Sequence, residues 1–234
     1  MADRQIVQGG KLVASGERVE VFQYGVSVDP GFLRLAEEAY AEIESLLGRR
    51  LDTATLGSKV RIYISDSVAV SHVWMGYEHP RDPKGIVFLN PRVYAGAMHG
   101  TDATYIHEMT HLFTWRYRSH TLREGLADYA ALQLRPGARV GPNTGVLTQS
   151  STVPGEILEC LGTTRPPLDW VVSDPVRRRL YYLASHRFVK FLVEKEGMGV
   201  FLKLYEAKNP EESFVRLYGA SREELIRMAG MRSP

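Results

Sequence analysis

The stretch TDATYIHEMTHLFTWRYR, residues 101–118, sets two histidines four positions apart with a glutamate directly after the first. On a helix with 3.6 residues per turn, positions four apart share a face, so His107 and His111 direct two imidazoles at one point. Glu108 stands about 100° further round, near enough to reach a water at a metal without displacing an imidazole. This is half of a zinc site together with a general base. A catalytic zinc needs a third protein ligand and one open position. A third histidine in the extended form of the motif would require Gly at 114 and His at 117, where the chain has Thr114 and Tyr117. The following stretch, TLREGLADYAALQL (121–134), instead offers Glu124 with Asp128 one turn later on the same face.

The pair HEMTH (107–111) and ExxxD (124–128) resembles the gluzincin zinc metallopeptidases of the thermolysin-like and aminopeptidase-like superfamily, and EGLADY is similar to their small-peptidase branch. The resemblance implies that His107, His111 and Glu124 bind one Zn2+ per chain and that Glu108 is the general base. It also implies that Asp128 accepts a hydrogen bond from His107, fixing the ring and raising its basicity. The same family carries a tyrosine on a later helix, followed by small and then apolar positions, that stabilises the oxyanion of the transition state. Matching that pattern to LYYLASHRFVKFL (180–192) puts Tyr182 in the role, with Tyr181 as its rival and Ser185 where the family commonly has glycine. A blander reading stands beside this one. Thr121 and Glu124 have the TxxE spacing of a capping box, in which Glu124 would only close a helix start. His72, His79, His99, His120 and His186 have no comparable spacing and read as surface or core histidines.

Outward from the motif, RVEVFQYGVSV (18–28) alternates as a strand, and apolar residues recur at helical spacing from Pro30 to Gly48, with Asp29 as cap. KVRIYIS (59–65) and GIVFLN (85–90) read as two more strands. After residue 100 the pattern turns helical, with helices over 101–118 and 121–134, and RPGARVGPNTG (135–145) ending the second. A long helix runs from Asp174 and Pro175 to about Gly197, with Leu180, Ala184, Phe188, Phe191 and Leu192 on its apolar side. Asn209 with Pro210, and Ser221 with Glu224, start two shorter ones.

The expected fold is therefore α+β and zincin-like. An N-terminal lobe (1–118) would hold a small mixed sheet and the HExxH helix, and a helical lobe (119–234) the third ligand, with the zinc cleft between them. GIVFLNP (85–91) would be the edge strand along the cleft, offering backbone groups to an extended peptide. Aminopeptidases of the superfamily carry a glutamate there to hold the free amino terminus. Residues 85–91 contain no acid, and the nearest is Glu78.

Composition bounds the partners. A chain of 234 residues, 44% of them apolar, can bury a large core, and 29 basic against 27 acidic residues leave no field for nucleic acid or anionic lipid. Cys160 is the one cysteine, which excludes a thiolate zinc site and reads as a small buried hydrophobe. No signal-peptide core or membrane-spanning run is present, so the expected location is cytoplasmic by default unless a leader was removed. The expected function is zinc-dependent hydrolysis of peptide bonds, as an endopeptidase rather than an aminopeptidase. The alternative is a non-catalytic or latent zincin-fold module that binds peptide, with residues 135–156 long enough to fill its own cleft.

Overall fold

The computed structural model describes residues 2–74, 84–141, 152–165 and 173–231. The chain is mixed α/β, with one five-stranded mixed sheet and eleven helices among the described residues. It divides into two compact units, Met1–Trp115 with Ala130–Gly141, and Arg116–Tyr129 with Pro142–Pro234. No helix among the described residues is long and apolar enough to cross a membrane.

The first unit is built on strands β1 (Lys11–Ser15), β2 (Val19–Tyr24), β3 (Val60–Ser65), β4 (His72–Trp74) and β5 (Ile86–Leu89), in the order β1-β2-β3-β5-β4. The pairs β2/β3 and β3/β5 are parallel, and β1 and β4 are antiparallel strands at the two edges. All four residues of β5 are buried, which explains its unbroken apolar run. This corrects its expected place at the sheet edge. β5 lies between β3 and β4, and the edge belongs to β4, whose three residues are too few for alternation to reveal.

One face of the sheet presents Phe22, Tyr63 and Phe88 in register, covered by Ile6 of α1 (Ala2–Gly9). Phe22 and Tyr63 stack at 4.5 Å, and Phe88 carries His72 at 5.0 Å. Helix α2 (Phe32–Leu47) packs on β2 and on α5 (Thr104–Phe113), through Phe32 against Tyr105 and Tyr40 against Phe113. Helix α2 starts two residues later than Pro30, because the turn before it is held by bonds three residues apart, Phe32 N to Asp29 O and Leu33 N to Pro30 O. It ends at Gly48, whose φ of 61° is left-handed. Between them lie α3 (Thr53–Leu56), capped by Asp52, and α4 (Pro91–Met98), capped by Asn90 with Pro91 in its first turn.

The second unit is helical: α7 (Gly155–Cys160), α8 (Pro175–Glu196), α9 (Met198–Tyr205), α10 (Pro210–Tyr218) and α11 (Arg222–Met228). It also includes α6 (His120–Leu134) as far as Tyr129. Asp174 caps α8 through Val176 N and Arg177 N, and Ser221 with Glu224 forms the expected capping box on α11. The buried side of α8 runs through Tyr181, Ala184, Ser185, Phe188 and Leu192, with Leu180 and Phe191 at its margins. Tyr181 thus replaces Leu180 as the inward residue of its turn. Cys160 is buried, and burial pushes its thiol up, so it is the inert small hydrophobe its isolation suggested.

Candidate metal centre

Helix α5 is shorter than the stretch that announced it, Thr104–Phe113 rather than 101–118. Its start is set by Asp102, whose Oδ1 accepts from Thr104 N at 2.9 Å and from the Thr104 hydroxyl at 2.6 Å. Arg139 Nε donates to the other carboxylate oxygen at 2.8 Å, tying residues 139–141 to the same point. Its end is closed by the hydroxyls of Thr110 and Thr114, which donate to Ile106 O and Thr110 O one turn back, each at 2.8 Å. Every residue of α5 is buried, so its polar side chains have been taken from water for a reason.

Among the described residues, His107, Glu108 and His111 bring one potential ligand atom each within 4.8 Å of one another. The two Nε2 atoms lie 3.1 Å apart, and the rings are turned 84° to each other. Two nitrogens each about 2.05 Å from one tetrahedral ion are separated by about 3.3 Å. The 3.1 Å separation is close to that spacing, and it is equally the length of a hydrogen bond in which one ring donates Nε2–H to the other. Glu108 is 7% exposed beside them, a carboxylate held at the site and not on a solvated surface.

In the second unit Glu124 and Asp128 lie one turn apart on α6, exposed 5% and 2%. The structure removes the capping-box reading of Glu124. Helix α6 starts at His120, and Leu122 N donates to the hydroxyl of Ser119, which precedes the first turn. Thr121 is inside the helix, and its hydroxyl donates to Cys160 O and accepts from Gly162 N. Glu124 is thus a buried carboxylate in mid-helix. His120 Nε2 and Arg123 Nε both lie 3.7 Å from its Oε1.

Tyr181 and Tyr182 part company. Tyr181 is 1% exposed, and its hydroxyl lies 2.8 Å from His120 Nδ1. Burial, with the Glu124 charge next, pushes its hydroxyl well above the ordinary tyrosine range. Tyr182 is half-buried, edge-on to Tyr181 at 5.7 Å. Ser185 is buried where α8 crosses α6. A Cβ on Gly125 would stand 2.4 Å from Ser185 O, so only glycine admits this crossing. His186 is held toward its neutral form by burial, against the pull of the Asp128 charge. His120, read from the sequence as a surface or core histidine, is largely buried and stands four before Glu124 on one helix face. Glu78 lies outside the described residues, as do 142–151 of the segment first considered as a cleft filler.

The chain matches no protein-family model and no curated protein.

Proposed function

We propose that the protein is a zinc-dependent peptidase with His107, His111 and Glu124 as ligands. The observation that carries this reading is the buried convergence of the two Nε2 atoms at 3.1 Å with Glu108 alongside. Two imidazoles and a carboxylate suit zinc by ligand type, and three protein ligands leave a position for water or substrate. Glu124 enters by its ExxxD spacing and by its burial within α6.

Zinc, when bound, polarises the scissile carbonyl and makes a water acidic enough to ionise near neutral pH. Glu108 takes the proton of the attacking water and delivers it to the leaving amine. Asp128 holds His107 in the tautomer that keeps Nε2 available. Tyr182 donates to the developing oxyanion. Tyr181, whose hydroxyl meets His120, is its rival in that role. An extended peptide adds to the outer edge of β4, which packs against α5, in place of β5.

The test is chelation and reconstitution. Peptide cleavage is lost on removing metal and returns with one equivalent of zinc. Cleavage that survives full chelation contradicts the proposal.

A further inference from the structure

Behind Glu124, within the second unit, stands a polar strut made of one residue from α6 and one from α8. His120 precedes Glu124 by one turn, and its Nε2 is 3.7 Å from Glu124 Oε1. Its other nitrogen, Nδ1, is 2.8 Å from the Tyr181 hydroxyl. The His120 side chain is 21% exposed and the Glu124 side chain 6%, so water competes little for either contact.

The proton positions follow from what each group can do. A neutral imidazole carries one N–H and one lone pair, a phenol has a single donor, and a carboxylate only accepts. With the proton on Nδ1, the Nε2 lone pair would face the Glu124 oxygen across 3.7 Å, a repulsive arrangement in a buried setting. With the proton on Nε2, its dipole points at the carboxylate and Nδ1 accepts from Tyr181. Only the second choice makes both contacts favourable. At 3.7 Å the approach to Glu124 is electrostatic and not a hydrogen bond. It still acts at low dielectric, where an electrostatic contact is stronger than in water. Arg123 adds to the same oxygen at 3.7 Å, its guanidinium seated 4.8 Å over the Tyr117 ring.

We infer that His120 is a positioning residue: held by the Tyr181 hydroxyl, it presents Nε2–H to Glu124 and limits the orientations open to that carboxylate. The inference rests on the reading of Glu124 as the third ligand. Its consequence falls on metal affinity before it falls on turnover, since outer partners of metal ligands typically contribute about 10 to 100 fold.

The experiment measures zinc dissociation constants by competition with a chelator, for wild type and for His120→Ala, His120→Gln and Tyr181→Phe, alongside the thermal midpoint of each metal-free protein. Glutamine places an N–H as many bonds from Cα as Nε2 and so keeps the contact to Glu124. His120→Ala weakens zinc about 10 to 100 fold, Tyr181→Phe by a smaller factor, and His120→Gln recovers most of the loss. Nitrogen NMR of the His120 ring shows the Nε2–H tautomer in wild type and a mixture in Tyr181→Phe, and the zinc affinity falls with it while the thermal midpoint of the metal-free protein does not. If His120→Ala does not fold, the glutamine and phenylalanine variants and the tautomer carry the test. Wild type that binds one zinc while His120→Ala binds it equally tightly overturns the inference and leaves the peptidase reading standing. An Nδ1–H tautomer in wild type overturns it as well. Wild type that binds no zinc overturns both.

Discussion

The Nε2 atoms of His107 and His111 stand 3.1 Å apart on rings turned 84° to each other, buried to 6% and 2% exposure. Two imidazoles need no such convergence to stabilise a helix, and each gives up water to achieve it. The expected outcome is one zinc per chain with Zn–N distances of about 2.0 to 2.1 Å, read by metal analysis and X-ray absorption. His111→Ala loses the metal, and Asp128→Asn keeps it with affinity about 10 to 100 fold weaker. Purified, unchelated protein without metal would show that the convergence has another cause.

The crossing of α6 and α8 at Gly125 is a second point of stress. A Cβ there would meet backbone, Ser185 O at 2.4 Å and Ser185 C at 2.6 Å, so the helices must move apart to admit it. Gly125→Ala should destabilise by about 1 to 3 kcal/mol, the usual cost of overpacking. Because Gly125 adjoins Glu124, it should weaken zinc binding too. Ser185→Ala should do the opposite to stability. The Ser185 hydroxyl is buried without a hydrogen-bond partner, and removing such a group gains about 1 kcal/mol. Denaturant melts of both variants check this, and a Gly125→Ala as stable as wild type would mean that the crossing is looser than described.

Tyr181 and Tyr182 should separate by kinetics. A donor used only in the transition state affects kcat, whereas a group that positions a ligand affects metal affinity. Tyr182→Phe should lower kcat with little change in KM and none in zinc affinity. Tyr181→Phe should retain wild-type kcat at saturating zinc. The reverse pattern would transfer the oxyanion role to Tyr181.

Much of this was legible in residue spacing. The i, i+4 pairs His107/His111 and Glu124/Asp128 require only that their segments be helical. The strands of β3 and β5 declared themselves through β-branched residues. What spacing could not supply was the neighbour in space. β5 reads the same whether it lies inside a sheet or at its edge, and the strand that covers it is three residues long. Helix α4 carried a plain start signal in Asn90–Pro91, hidden because the strand before it ends at Leu89. The four-residue spacing of His120 and Glu124 is readable in the sequence, but Tyr181, 61 residues from His120, becomes its partner only through the packing of α8.

The move of the sheet edge from β5 to β4 leaves the specificity argument intact. Strand β4 is His72, Val73 and Trp74, again without an acid. An aminopeptidase must hold an ammonium near the scissile bond, and leaving that charge unpaired is costly. Backbone pairing along β4 does not depend on where the substrate begins. Matched peptides with free and acetylated amino termini should be cleaved at similar rates. A strong preference for the free form, lost in Glu78→Gln, would place the missing carboxylate at Glu78 and make the enzyme an aminopeptidase.

The most direct measurement compares wild type with Glu108→Gln in a peptide-library digest at equal, measured zinc content. With Glu108 as base and not as ligand, the variant should hold metal as wild type does while its cleavage falls to background. Wild-type protein that holds zinc yet cleaves nothing would make the chain a binding module. Glu108→Gln that cleaves at the wild-type rate would contradict the account.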